Sequence, residues 1–213
     1  MNPDATLRLQ RELRARQPDW KEAEAALRDG ADRDTRMPDK NGIPLLASVS
    51  GAGRVDHVRW LLAHGANPNA VDESGWTALM YAVLCCHTKI VGPLLEAGTD
   101  PNALDDAGNT ALMLAITNTQ PKCDTGSITR LIDHGADPAV LDSMGRTIPE
   151  IGRAHDQANK VEDLDAALAR PTHVAARRRL LARLSQERQT AWLPRSCAAE
   201  TEVIATKTWR RRP

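Results

Sequence analysis

Residues 72–98 read DESGWTALMYAVLCCHTKIVGPLLEAG, and this stretch contains the structural unit of the chain. Thr77 stands where a hydroxyl can accept a hydrogen bond from the free N–H groups of a starting helix. Gly98 can adopt the left-handed conformation that ends a helix. Between them, apolar residues recur at helical spacing in two short runs. The pattern predicts two short helices joined by a tight turn, with apolar faces formed by Leu79, Met80, Ala82, Ile90, Val91, Leu94 and Leu95.

The same unit recurs along the chain. Four motifs of the form D-x-x-G carry glycines that are 33, 33 and 37 residues apart, and they begin at Asp39, Asp72, Asp105 and Asp142. A second series of glycines is spaced by 35, 33 and 37 residues and consists of Gly30, Gly65, Gly98 and Gly135. Because one helix pair cannot bury both of its apolar faces, we expect the units to stack and share a continuous core.

A 33-residue unit that runs D-x-x-G-x-T-P-L, then alanine, then L-L-x-x-G-A-D-x-N-A resembles the ankyrin repeat, with alanine here in place of the proline. The segments GWTALMYAV and GNTALMLAI carry the first half of the motif. The resemblance implies an all-α solenoid of helix-turn-helix units with hairpin fingers, plus a short basic C-terminal extension. We predict an N-terminal capping repeat over residues 1–34 and ankyrin repeats over 35–170, with three good units and a degenerate C-terminal cap. A basic helix and flexible tail are predicted over 171–213.

Four departures from the repeat mark places where the structure should differ. Pro44 replaces the capping threonine of the first good unit, and Cys86 occupies the position that usually holds a glycine between the two helices. Extra residues in the third unit fall within TNTQPKCDTGS, residues 117–127, which predicts an exposed and mobile loop. Pro149 replaces the leucine of the closing unit, so we expect the first helix there to be short or shifted.

The composition is that of a globular chain. Of the 213 residues, 41% are apolar and 26% are charged. No apolar run approaches the ~18 residues of a membrane-spanning helix, and the N-terminal segment lacks the apolar stretch of a secretory signal. We therefore expect a reduced, cytoplasmic location. The alternative that stays open is export to a host cell by a signal that is not readable in the sequence.

The formal net charge is +0, but the charges are unevenly distributed. Residues 72–170 carry 7 basic and 15 acidic side chains, a net charge of −8, whereas residues 171–213 carry 10 and 3, a net charge of +7. An intramolecular contact between this tail and the acidic repeats is one expectation. The favoured interpretation of the tail is a helix packed on the last repeat; the alternative is a segment that binds nucleic acid or an anionic membrane. The apolar face of the predicted helix consists of Val174, Leu180, Leu181 and Leu184.

No pattern of catalytic or metal-binding residues stands out. The segment GAGRVD at residues 51–56 lacks the third glycine of a dinucleotide-binding loop and follows a predicted helix instead of a strand. The sequence contains no G-x-S-x-G, P-loop or H-E-x-x-H motif. Cys85, Cys86 and His87 are contiguous, which suits tetrahedral metal coordination poorly. We predict no catalytic site, no metal and no cofactor, and we favour thiols over a redox pair between Cys86 and Cys123.

The resemblance implies a concave binding surface formed by the finger tips and the first helices. Trp76 and Tyr81 stand out there, because tryptophan and tyrosine are enriched at interface hot spots. Trp60, in a second helix, is assigned to packing. We predict a monomeric, non-catalytic protein–protein interaction module, acting on a partner protein as an adaptor, inhibitor or regulator. The alternative is a nucleic-acid- or membrane-associated regulator that acts through its basic tail. The candidate partner-binding residues are Trp76, Tyr81, Ile43, Glu73, Ser74, Asn109, Leu114, Asp106 and Arg146.

Overall fold

The computed structural model describes residues 1–37, 42–120, 126–170 and 173–190. Within these residues the chain forms five helix pairs, a final helix and one short hairpin. The first helices of the pairs are α1 (Pro3–Arg14), α3 (Leu45–Gly51), α5 (Ala78–Leu84), α7 (Ala111–Thr117) and α9 (Ile148–Ala154). The second helices are α2 (Trp20–Arg28), α4 (Val55–Ala63), α6 (Thr88–Glu96), α8 (Gly126–Asp133) and α10 (Ala158–Leu168). The remaining elements are α11 (Val174–Thr190), β1 (Arg36–Met37) and β2 (Ile43–Pro44).

The helix pairs stack in chain order and bury one continuous core. First helices pack on first helices, as α3 does between α1 and α5, and second helices pack on second helices, as α6 does between α4 and α8. Leu79 and Ile90, one from each helix of the same unit, are both 0% exposed. The predicted all-α solenoid is confirmed.

Side-chain caps begin the helices where the sequence predicts them. The hydroxyl oxygens of Thr77 and Thr110 accept hydrogen bonds from the amides of Met80 and Met113, at 3.2 and 3.3 Å. Pro44 precedes α3 without a side-chain cap. The side chain of Asp19 caps α2 by accepting hydrogen bonds from the amides of Lys21 and Glu22.

The links between units are held together by amide side chains. The Asn69 side chain accepts from the amide of Asp100 at 2.7 Å and donates to the carbonyl of Gly98 at 3.1 Å. Asn102 repeats both contacts one unit later. At the next equivalent position the chain has Ala139, which has no polar side chain. The series of bridges between links therefore ends at the closing unit.

A second set of contacts caps the carboxyl ends of the first helices. The last carbonyl groups of a helix have no partner within the helix, and a donor or cation placed there is stabilising. In this stack the donor comes from the following unit. The pairs are Arg54 with the carbonyls of Leu13 and Ala15, His87 with Gly51, Asn118 with Leu84, and Lys160 with Ala115 and Asn118.

Three of the described turns between the two helices of a unit contain a residue in the left-handed region. Gly53 occupies this position in the first good unit with φ of 75°. Cys86 takes its place in the next unit with φ of 63°, and Asp156 takes it in the closing unit with φ of 54°. Residues other than glycine are strained in the left-handed region of backbone conformation, and asparagine and aspartate are the best tolerated of them. The predicted departure at Cys86 is thus a backbone position that favours glycine.

The closing unit corrects one prediction. Its first helix, α9, is neither short nor shifted, because it has 7 residues and begins directly after Thr147, as α7 begins after Thr110 with 7 residues. Pro149 lies in the first turn, where a missing N–H costs no helical hydrogen bond. Thr147 and Glu150 form a capping box around it.

The basic C-terminal helix packs on the last units. Leu180 is 4% exposed and Leu184 is half-buried against the core, whereas Leu181 is 55% exposed. Leu181 therefore does not belong to the apolar face predicted for this helix. Arg179 lies 3.5 Å from the carboxylate of Asp137. The predicted tail beyond residue 190 and residues 121–125 of the insertion lie outside the described residues. In the described part no helix is long and apolar enough to cross a membrane.

Aromatic rings join the N-terminal unit to the next one. The Trp20 ring centroid lies 5.2 Å from that of His57 and 5.7 Å from that of Trp60. Trp60 thus has the packing role that its position predicts. His57 is 6% exposed, and its Nε2 atom has no hydrogen-bond partner within the described residues. Burial is the main effect and lowers the pKa of His57. A hydrogen bond with the backbone of Ala15 opposes it, and the charge of Arg54 lowers the pKa further against a smaller effect of Asp56.

The first prediction concerns Lys160, which is 5% exposed. Lys160→Met removes the donor shared by the carbonyls of Ala115 and Asn118, which then remain buried and unsatisfied. We expect the free energy of unfolding in urea to fall by about 1–3 kcal/mol. Lys89→Met on the exposed side of α6 is the control and should leave stability within about 0.5 kcal/mol. Equal effects of the two substitutions would contradict the capping role.

The second prediction concerns pH. Because the folded-state pKa of His57 lies below its usual value of about 6.5, the unfolded chain binds the proton more readily. Stability should therefore decline as pH falls through about 6.5 toward the folded-state pKa, and urea unfolding between about pH 7.5 and about pH 5 measures it. His57→Phe should flatten this decline, and exposed His155→Gln should not. An unchanged pH profile for His57→Phe would refute the assignment.

Candidate partner-binding surface

The predicted partner-binding residues lie on the fingers and on two of the first helices. Glu73, Ser74 and Trp76 belong to the finger before α5, and Asp106 and Asn109 belong to the finger before α7. The remaining members are Ile43 in β2, Tyr81 in α5, Leu114 in α7 and Arg146 before α9. The set contains no arrangement of side chains typical of catalysis, and its role in binding a partner stays a prediction.

Each finger is fixed by the aspartate that begins its D-x-x-G motif. One carboxylate oxygen of Asp72 accepts from the amides of Ser74 and Trp76, at 2.9 Å each. Asp105 and Asp142 form the same pair of bonds in the next two fingers. The turn that follows is closed by a glycine with positive φ, as at Gly75 with 76°. The finger backbones are therefore set by their own side chains before any partner arrives.

Trp76 and Tyr81 form a fixed aromatic pair. Their ring centroids are 5.4 Å apart with an interplanar angle of 57°. The Tyr81 hydroxyl donates to the second carboxylate oxygen of Asp72 at 2.6 Å, so one aspartate holds both the finger and the ring of α5. Burial raises the pKa of Tyr81, and the hydrogen bond and the charge of Asp72 raise it further. Both rings are half-buried and keep part of their surface accessible.

Two predicted binding residues also have contacts inside their own fingers. The Asn109 side chain donates to Asp105 at 3.1 Å. The Arg146 guanidinium pairs with Asp142 at 2.8 Å. Although burial acts to raise the pKa of Asp142, its hydrogen bonds to Arg146 and Met144 lower it overall. These two side chains brace the fingers, whereas Glu73, Ser74 and Asp106 are exposed near the tips.

A groove of about 540 Å³ lies beside the aromatic pair, on the first-helix side of the stack. Ile43 and Tyr81, two of the candidate residues, line it together with Ser48. The groove also extends to residues that sequence reasoning missed, including Arg14, Arg54 and Cys85. Arg14 belongs to the capping helix α1, and the other two lie at turns between helices. A repeat pattern alone does not show that an end cap and the turns contribute to the same concavity.

The prediction that the cysteines are thiols requires a correction. Cys86 is disulfide-bonded, so the preference for thiols is wrong at this position. Its sulfur faces the next unit, 3.6 Å from the Asn118 amide nitrogen, and not the adjacent Cys85. Cys85 is a free thiol, and burial raises its pKa, so it lines the groove in neutral form. Cys123 lies outside the described residues. Within the described part of the chain no cluster of histidine, cysteine or acidic residues could hold a metal ion.

Residues 23–105 match the family described as ankyrin repeats (3 copies). This match supports an ankyrin-repeat protein family. Members of this family are generally protein–protein interaction modules, and they are typically non-catalytic. A search of curated proteins gave no match. The ankyrin assignment agrees with the threonine-capped helices and the aspartate-anchored fingers of the described units.

The third prediction tests the double use of Asp72. Tyr81→Phe and Asp72→Asn each weaken the bond between the hydroxyl and the carboxylate, and a double-mutant cycle measured by urea unfolding isolates their coupling. A hydrogen bond to a charged group typically contributes about 1.5–3 kcal/mol, so we expect a coupling energy of about 1 kcal/mol or more. Additive effects of the two substitutions would show that the hydroxyl does not hold the ring to the finger.

Proposed function

We propose that this ankyrin-repeat chain is a non-catalytic binding module that recognises a partner protein on its concave surface, as an adaptor, inhibitor or regulator. One observation carries the proposal: an aromatic pair, fixed by Asp72, stands beside an open groove. Tryptophan and tyrosine dominate interface energetics because they offer large contact areas with few rotatable bonds. A surface whose side chains are already ordered loses little conformational entropy on binding.

The groove has the size of a recognition site. Its volume of about 540 Å³ lies within the range of roughly 300–1,000 Å³ that is usual for ligand clefts. Tyr81 belongs both to the pair and to the groove lining, so a segment lying in the groove would contact the pair directly. The finger tips next to it carry the exposed Glu73 and Asp106, which add polar groups at the rim.

We propose that the described part of the basic C-terminal helix is a structural cap. The burial of Leu180 and the contact between Arg179 and Asp137 support this role. Asp133, at the end of α8, also accepts from Arg170 at 3.1 Å and from His173 at 2.9 Å. These contacts lie on the second helices and the links, away from the groove lining. We infer a monomer with its C-terminal end closed in this way.

The fourth prediction tests this function. Trp76→Ala should weaken binding of a partner, co-purified from the native cell, by about thirtyfold, equivalent to ~2 kcal/mol. The melting temperature should change less than with a packing tryptophan, because the Trp76 ring lies on a finger and is only partly buried. Trp60→Ala is the matched control: it removes a packing tryptophan and should lower the melting temperature while the remaining folded protein keeps its affinity.

The reverse result would overturn the proposal. If Trp76→Ala lowers the melting temperature as far as Trp60→Ala does and the folded fraction keeps full affinity, Trp76 is a packing residue. The partner would then bind elsewhere on the chain.

A further inference from the structure

The charge around the groove is not uniform. Among the described residues that line it, two are arginines and none is acidic. The acidic groups lie at the opposite side, toward the fingers, where Tyr81 meets Asp72 and where Glu73 lies near Gly42. The groove therefore has a basic end at Arg54, where it meets α1, and an acidic rim at the fingers.

Arg54 is held in place with part of its guanidinium unused. Its Nη1 atom donates to the carbonyls of Leu13 at 3.0 Å and Ala15 at 2.7 Å. Both acceptors are neutral, and over the residues that the structure describes no carboxylate pairs with Arg54. A guanidinium has five N–H donors in a fixed plane, so Nε and Nη2 remain for a further acceptor. The positive charge of Arg54 lowers the pKa of the neighbouring His57.

The rest of the groove offers apolar contact. Ile43, Ala52 and the Tyr81 ring present the accessible apolar surface, and Ala47 and Val49 are buried beneath it. The Cys85 thiol is neutral and adds no charge. An apolar side chain of a partner would thus lie between the ring and the turn, within reach of the Arg54 plane.

We propose that the groove takes a partner segment in which an acidic residue stands next to an apolar one, with the carboxylate on Arg54 and the apolar side chain against Tyr81 and Ile43. This inference rests on the proposed function and adds the chemistry of the partner. Arginine held in one orientation suits a planar carboxylate, which can accept two parallel bonds.

The test uses the full chain and a phage-displayed library of random peptides. Peptides retained by the wild-type protein, and lost when Tyr81→Ala is present, define groove binders. We expect these to be enriched in aspartate or glutamate next to a leucine, isoleucine, valine or aromatic residue. In a synthetic copy of the strongest binder, changing that acid to its amide should weaken binding about tenfold or more, and the loss should shrink as salt is raised.

Two variants locate the contact. Arg54→Gln keeps an amide donor for the carbonyls of α1 and should weaken the acidic peptide about tenfold while leaving the amide peptide unaffected. Arg59→Gln, at an exposed position of α4, should change the affinity for neither the acidic peptide nor the amide peptide. The acid-to-amide change is made in the peptide and cannot affect the folding of the protein. It therefore tests the carboxylate contact even if Arg54→Gln destabilises the N-terminal unit.

The outcomes separate this inference from the proposed function. Groove binders without acidic enrichment, or an amide peptide that binds as well as the acidic one, would overturn the inference and leave the binding function intact. A library that yields no peptide sensitive to Tyr81→Ala would overturn both. Equal losses with Arg54→Gln and Arg59→Gln would show a diffuse charge effect and also contradict the proposed contact.

Discussion

The stacking of neighbouring units depends on how the polar backbone groups of the links between them find hydrogen-bond partners. The links between units lie outside helices, so their N–H and C=O groups need partners from elsewhere. Asn69 and Asn102 each supply one acceptor and one donor to the following link. Side chains such as Arg54 and Lys160 donate hydrogen bonds to the carbonyl groups at the ends of the first helices. Each unit is therefore completed by the next one, in its hydrogen bonds as well as in its apolar core.

This dependence explains why the concave surface is ready for a partner. Asp72 fixes the finger and the Tyr81 ring, and Tyr81 fixes one side of the groove. Arg54 fixes the other side because its guanidinium is already bonded to the end of α1. The same contacts that hold neighbouring units together thus place an aromatic ring and a cation across one cleft. Under the proposed function, binding and stacking would use shared residues.

The sequence predicts the features that recur, and it misses those that depend on one position or on neighbours in space. Thr77, Thr110 and the glycine series repeat a local rule for starting and ending helices, so the solenoid follows from them. The effect of Pro149 was misjudged because its register within the first turn decides whether a proline disrupts a helix. The pattern does not mark Arg54, and it wrongly places Leu181 on the apolar face of the last helix. The surroundings of these residues are formed by α1 and by the docking of α11, which no periodicity describes.

The central claim is that the amide bridges couple the units, and amide hydrogen exchange on Asn102→Ala tests it most directly. The account predicts that the Asp137 amide loses protection and that the Leu131 amide, in the α8 core, exchanges faster because the link no longer holds the unit closed. Asn159→Ala, at an exposed position of α10, is the control and should leave both amides protected. Unchanged protection of Leu131 in Asn102→Ala would contradict the account, since the stack would then be held by apolar burial alone.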